Sequence, residues 1–424
     1  MSQSSSVSRT SPLCPRSMVE PQFLSDHVDH YFRERVEKTW NGGHIMHGRT
    51  PGPDGILMVT NDYLDMANHP EVIQAQIDGL RGSDNTVVMS GVYLHGDSPQ
   101  IHLERRMARW MRMESSLLCQ SGYAANVGLI QAIGAPGTPV YVDMFAHASL
   151  WEGVRSAGLE WKPFRHNDPS HLETMIERNG PGIVVMDSIY STTGSIAPLE
   201  GLVEVANRHG CVTIVDESHS LGTHGDQGRG LVAGLGLESK VHFVTASLAK
   251  AFAGRAGLIA CSERLRQFIK FNSFPAIFSS SLLPHDISGL ARTLDLIKAA
   301  DVERERLHAN AAYLRRHLDA LGYNVDSGEA QMIALEAGPE QSTIVLRDAL
   351  ESRGVFGSVF CAPATATKRS LIRLSVNCNH TYSQINRVIE VCEEIRDEVD
   401  LANWPSTRRG GKQQSIRAAA AEAA

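Results

Sequence analysis

Short runs of β-branched and aliphatic residues recur through the middle of the chain, at 117–119, 140–142, 183–186, 212–215, 241–244 and 258–260. Stretches with helical spacing separate most of them, at 124–133, 150–157, 170–178 and 199–208. Strands that are apolar on both faces and alternate with helices predict a mostly parallel sheet covered on both sides. Ligands of such sheets bind at the carboxyl ends of the strands. The polar residues that close each run are therefore the ones that can carry chemistry.

The flanks read differently. Ser25 can cap a helix running to about Trp40, with Val28, Tyr31, Phe32 and Val36 on one face. Residues 56–59 read as a short strand, and Pro70 opens a helix. A polar, glycine-punctuated loop over 82–96 precedes a helix over 100–113. Residues 284–321 are helical in pattern and richly charged, leading into a second domain. That domain is expected to hold strands near 332–335 and 371–376 and helices over 340–353 and 382–401.

Length and composition narrow the class. A chain of 424 residues exceeds one ordinary core, so two domains are expected. A hydrophobic content of 42% and a charged content of 21% are those of a soluble globular protein. The net charge of −7 gives no general attraction to nucleic acid or anionic membrane. No apolar run is long enough for a membrane span. The seven cysteines are scattered, odd in number and without CxxC spacing, which points to reduced thiols in the cytoplasm and to no metal site. Serine-rich residues 1–15 lack the apolar core of a secretory signal and read as a disordered extension.

Lys250 follows the run at 241–244, among small and apolar neighbours. Burial there would lower its pKa and leave a nucleophilic amine able to form a Schiff base, which makes pyridoxal 5′-phosphate (PLP) the cofactor to consider. A surface lysine with a packed stem is the structural alternative. Asp216 closes the run at 212–215 and His219 follows three residues on. A carboxylate can keep a pyridine nitrogen protonated so that the ring accepts electrons, and His219 can donate to the ring's phenolic oxygen. The same pair would also serve as a helix cap and a polar turn. His147, after another run, can stack on a pyridine ring. Ser121, Gly122 and Tyr123 sit at a strand–glycine–helix junction whose N–H groups suit a phosphate. Ser191, Ser247 and Ser279 add hydroxyls that could reach the cofactor, Ser279 across a dimer interface if the chain pairs. Arg373 suits a substrate carboxylate, with a surface ion pair as the alternative.

The order of these elements is that of fold-type I PLP enzymes, and the motifs closely resemble the α-oxoamine synthase family. The matching stretches are Asn61-Asp62-Tyr63-Leu64, Ala146-His147-Ala148-Ser149, Val215 to Gly222 and Ser247 to Ala251. Phe145 to Gly153, Asp187 to Thr192, Phe274 to Ser280 and Gly354 to Cys361 look closer to one subgroup, the CqsA-type autoinducer synthases, which make long-chain ketone quorum-sensing signals. Ala249 stands where most members have glycine, and Tyr93 to Asp97 replaces a stretch that lies near the substrate in relatives.

The resemblance implies a large PLP domain over 61–285, with a mostly parallel seven-stranded sheet, and a smaller α+β domain over 286–402. It implies an N-terminal segment, 21–60, packed on the smaller domain; composition, serine-rich at the start and polar then alanine-rich at the end, makes 1–20 and 403–424 disordered ends. The resemblance implies a cytoplasmic homodimer with active sites at the interface, condensing a medium-chain acyl-CoA with an α-amino substrate, S-adenosylmethionine or 2-aminobutyrate. Lys250, His147, Asp216 and His219 would be catalytic, and Asn61 and Arg373 would meet the substrate. A housekeeping member using glycine, alanine or serine is the alternative. A non-catalytic PLP-fold subunit is a third reading, set against the presence of Lys250 and Asp216.

Overall fold

The computed structural model describes residues 19–82 and 89–409. Residues 19–47 belong to a unit of their own. There the Gln22–Tyr31 helix continues as a π-helical stretch, Phe32–Thr39. Pro21 occupies the N-cap, so Ser25 lies inside the helix and does not cap it. Proline fixes φ and carries no N–H, which suits a helix entry three residues before the serine.

The unit from residue 48 onward carries eleven strands among its described residues. They are β1 (Ile56–Met58), β2 (Ser115–Cys119), β3 (Pro139–Asp143), β4 (Glu160–Phe164), β5 (Ile183–Asp187), β6 (Val212–Asp216), β7 (Phe243–Ser247), β8 (Gly257–Cys261), β9 (Met332–Gly338), β10 (Val355–Phe360) and β11 (Ser370–Ser375). Seven form the expected sheet, in the order β2-β8-β7-β6-β5-β3-β4. Only β8 runs against its neighbours, so the other six point their carboxyl ends the same way. The β-branched runs of β3, β5 and β6 are buried almost throughout. Each fully buried Val or Ile contributes roughly 1.5–3 kcal/mol to holding that sheet.

The register sets the site. Asp187 of β5 pairs with Asp216 of β6, and Asp216 pairs with Thr245 of β7. Ser247 of β7 pairs with Gly257 of β8, which pairs with Cys119 of β2. The polar residues that end β5, β6 and β7, and Cys119 at the end of β2, therefore fall on one edge of the sheet.

A second sheet has the order β1-β10-β11-β9. β1 pairs in parallel with β10, while β11 is antiparallel to both its neighbours. The helical stretch expected over 284–321 is two helices, Pro284–Ala299 and Asp301–Ala320, broken at Ala300. The first packs against the Pro70–Arg81 helix, where a Cβ on Gly79 would lie 2.7 Å from Ser288 Oγ. The tail expected to be disordered from 403 is instead packed at its start. Trp404 and Ser406 are buried, and Trp404 Nε1 donates to the Val399 carbonyl at 2.8 Å. Residues 410–424, 1–18 and part of the 82–96 loop lie outside the described residues.

Candidate active site

Lys250 stands in the turn after β7, half-buried. The turn is tied by Leu248 N–H to the Ala256 carbonyl at 2.9 Å and by Ala253 N–H to the Lys250 carbonyl at 2.8 Å. Burial lowers the Lys250 pKa, Arg373 lowers it further, and Asp216 opposes both. The amine is thereby shifted toward its neutral, nucleophilic form.

Asp216 is the last residue of β6 and is buried. Its Oδ1 accepts from Ser218 N–H at 2.9 Å and from Ser218 Oγ–H at 2.5 Å. Its Oδ2 accepts from Asn126 Nδ2 at 2.6 Å. Such donors satisfy both oxygens of a buried carboxylate. Ser218 Oγ also receives Ser247 N–H at 2.7 Å, which ties the end of β7 to Asp216.

His219 is buried, with Tyr63 Oη 2.7 Å from its Nδ1. Its pKa is held well below the usual value, first by burial and then by Lys250 and Arg373. Burial pushes the Tyr63 hydroxyl up to about 12, so the phenol keeps its proton. A neutral imidazole that accepts at Nδ1 carries its proton on Nε2, which has no protein partner among the described residues.

His147 occupies the N-cap of the Ala148–Ser156 helix after β3. Its N–H donates to Asp187 Oδ2 at 2.9 Å, and its Nδ1 lies 2.7 Å from Ser149 Oγ. Burial lowers its pKa, with the Asp216 charge acting against that. Asp187 is raised well above the ordinary carboxyl range, first by burial and then by the negative charge of Asp216.

Ser121 caps the Gly122–Ile133 helix, its Oγ accepting from Ala124 N–H at 3.1 Å. The Gly122 and Tyr123 N–H groups have no partner among the described residues. The helix start is pressed against β7 and β8. A Cβ on Gly122 would lie 2.5 Å from Ser247 Cβ, and one on Gly257 would collide with the Ser121 carbonyl oxygen. Glycine at both positions lets a set of free backbone donors stand beside the Lys250 turn.

Arg373 of β11 is buried, so it is not the surface ion pair that the sequence left open. Its Nη1 donates to the Ser191 carbonyl at 2.7 Å and its Nη2 to Asn61 Oδ1 at 2.9 Å. Its Cζ stands 4.7 Å from the centroid of the Phe360 ring. All these partners are neutral, and its buried Nε has none. A buried guanidinium without a carboxylate is ready to receive an anionic group.

The fold thus gathers Lys250, Asp216, His147, His219, Arg373 and Asn61 with the Ser121–Tyr123 helix start and Ser247 at the edge of the large sheet. Ser191 contributes its carbonyl. Ser279 is not brought in within one chain, since its hydroxyl donates to the Pro275 carbonyl. Asn126, Ser149, Thr245, Ser218 and Tyr63 carry hydrogen bonds of the site that sequence reasoning did not assign. Asn126 had one signal: it is the lone amide in the apolar stretch Ala124–Ala125–Asn126–Val127 of a helix start, and buried amides must be paired.

A lysine on a strand turn, a buried carboxylate and a phosphate-type helix start define a PLP site of the fold-type I class. The chain belongs to the aminotransferase class I and II family, whose model matches residues 53–391, and within it to the PLP-dependent α-oxoamine synthases, which are acyltransferases. It is 44% identical to the CAI-1 autoinducer synthase of Vibrio campbellii, over 91% of this chain and 98% of that one. It is 30% identical to the 8-amino-7-oxononanoate synthase of Alkaliphilus metalliredigens, over 82% of this chain and 90% of that one. The serine palmitoyltransferase of S. paucimobilis, solved with a bound PLP–myriocin aldimine, aligns with a TM-score of 0.79 at 25% identity, covering 90% of this chain and 98% of that one. The cofactor is PLP. The residues present fit it: free helix N–H groups and glycines would hold the phosphate, Asp216 would face the ring nitrogen, His219 Nε2 the ring oxygen, and Lys250 would take the aldehyde.

Proposed function

We propose that the chain condenses a medium-chain acyl-CoA with S-adenosylmethionine or 2-aminobutyrate. CoA and CO2 leave; 2-aminobutyrate then gives an α-aminoketone, while S-adenosylmethionine also loses its sulfonium group as methylthioadenosine together with a proton and gives an enaminone, either one a precursor of an α-hydroxyketone quorum-sensing autoinducer. The observation that carries this reading is the 44% identity with the autoinducer synthase over nearly the whole of both chains, against 30% with the 8-amino-7-oxononanoate synthase. The buried, carboxylate-free Arg373 supports an amino substrate that brings its own carboxylate.

PLP, when bound, draws electron density from the α-carbon of the amino substrate. Arg373, braced by Asn61 and the Ser191 carbonyl, orients the substrate carboxylate. Lys250 Nζ, shifted toward its neutral form, takes the α-proton. Asp216 holds its negative charge at the ring nitrogen's side, and His219 offers the Nε2 proton. His147 covers one face and steadies the thioester oxygen as the carbon–carbon bond forms and the CoA thiolate departs.

A homodimer is part of the proposal. Phe271, Phe274 and Phe278 are 62%, 60% and 78% exposed, and Tyr93 beside them is 68% exposed. Large apolar side chains grouped in this way mark an interaction surface. Ser279, next to Phe278, would serve the partner's site. Among the described residues no helix is long and apolar enough to cross a membrane, and we place the enzyme in the cytoplasm.

Thiol release from a medium-chain acyl-CoA, followed with each amine and with product mass spectrometry, tests the reaction. Products of S-adenosylmethionine or 2-aminobutyrate are expected. Turnover with glycine, alanine or serine alone would favour a housekeeping α-oxoamine synthase.

A further inference from the structure

Asn126 lies in the first turns of the Gly122–Ile133 helix and is 1% exposed. Its amide is spent on the site. Oδ1 accepts from Thr245 Oγ1 at 2.6 Å. Nδ2 donates to Asp216 Oδ2 at 2.6 Å and to Ser149 Oγ at 2.9 Å. Ser149 Oγ in turn lies 2.7 Å from His147 Nδ1.

Hydrogen-bond polarity fixes the direction of this chain. A carboxylate only accepts, so the nitrogen end of the amide must face Asp216. Ser149 Oγ receives a proton from that nitrogen, which leaves its own proton for His147 Nδ1. The Ser149 N–H donates to the same Nδ1 at 3.3 Å. His147 is therefore held with its own proton on Nε2. One side chain thus sets the rotamer of Asp216 and the tautomer of His147.

We propose that Asn126 is a positioning residue for the reaction, fixing through a single amide both the carboxylate directed at the cofactor's ring nitrogen and the imidazole laid on the ring. It rests on the reading of Asp216 and His147 as cofactor contacts. A buried helix asparagine satisfied for packing alone would have no preferred polarity toward the site. The isosteric Asn126→Asp keeps the volume and removes the donors. Thr245 can still donate to it, but the Ser149 proton turns toward the new carboxylate, His147 Nδ1 loses its close donor, and a second carboxylate faces Asp216.

The test uses the PLP-loaded enzyme and reads the visible absorption of the bound cofactor together with kcat and KM. Asn126→Asp is expected to change the ratio of the cofactor's absorption bands. It should also lower kcat about 10- to 100-fold with little change in KM for the acyl-CoA, the scale of misplacing a reacting group by ~1 Å. Ser149→Ala cuts only the His147 arm. It should lower kcat less and leave the absorption bands in place, and it carries the test alone if Asn126→Asp fails to fold. A wild-type kcat in Ser149→Ala, or wild-type bands and kcat in a folded Asn126→Asp, overturns the proposal. Asp216→Asn and His147→Ala separate the two readings. If they leave the absorption bands unchanged, the cofactor contacts themselves are misassigned; if they shift them while a folded Asn126→Asp keeps wild-type bands and kcat, or Ser149→Ala keeps wild-type kcat, only the positioning role falls.

Discussion

At the carboxyl ends of β5 and β6, two aspartates are register partners on adjacent strands and are both buried, yet they are built for opposite states. Asp216 receives three donors, two on one oxygen and one on the other. Asp187 receives the His147 N–H, and burial beside the Asp216 charge pushes it toward its neutral form. Two adjacent buried carboxyls cannot both ionise cheaply. On β11, Arg373 has the converse arrangement: a buried cation with neutral partners and an unused Nε. A charge whose hydrogen bonds are made within the chain is a fixed part of the site, and a charge left without a counterion is the one we propose a ligand's charge meets.

The largest break in this comparison is expected from Asp216→Asn. Replacing the charged partner should lower kcat by about 10²–10³-fold, the scale of losing one preorganised electrostatic contact, while the thermal midpoint stays near wild type. Steady-state kinetics and a melting curve check both. Arg373→Met should raise KM for the amino substrate about 10- to 100-fold, the worth of roughly 1.5–3 kcal/mol for hydrogen bonds to a charged group. The same change should leave the melting temperature equal or higher, since it removes an uncompensated buried charge. A lower melting temperature would mean that Arg373 is there for the fold.

Asp187→Asn should be the mildest, within about threefold of wild type in kcat, because an amide oxygen can still accept the His147 N–H. Its effect should appear in stability against pH. With its folded pKa above the free value of 3.8, Asp187 contributes stability fully below that pH and loses it as pH rises through the raised value. The variant's advantage in urea midpoint should therefore grow from acid toward neutral pH. A difference that stays flat with pH would show Asp187 to be an ordinary ionised carboxylate.

Much of the large sheet and its site was legible in the sequence because the strands are buried on both faces and read as continuous apolar runs. Asp216, His147 and Lys250 stood out as polar residues where such runs end. β4 escaped notice because it is an edge strand that buries only Phe164 fully and contains Pro163. β10 escaped because Gly357 and Ser358 interrupt its apolar pattern. The pairing of Asp187 with Asp216, and the bonds of Asn126 to Asp216 and Thr245, join residues 29, 90 and 119 positions apart or belong to neighbouring strands. Periodicity carries no such information. Whether Arg373 faced solvent or the site depended on the fold of the smaller sheet, which brings β11 over the Asn61 loop.

Lys250 remains the centre of the account, and a lysine more deeply buried than it, Lys270, donates its Nζ to the Leu94 carbonyl. Borohydride treatment of the PLP-loaded enzyme, followed by peptide mass spectrometry, traps the lysine that carries the cofactor. The reduced pyridoxyl group is expected on Lys250 and to disappear in Lys250→Ala together with all turnover. Finding it on Lys270 or another lysine, or finding turnover in Lys250→Ala, would contradict the assignment.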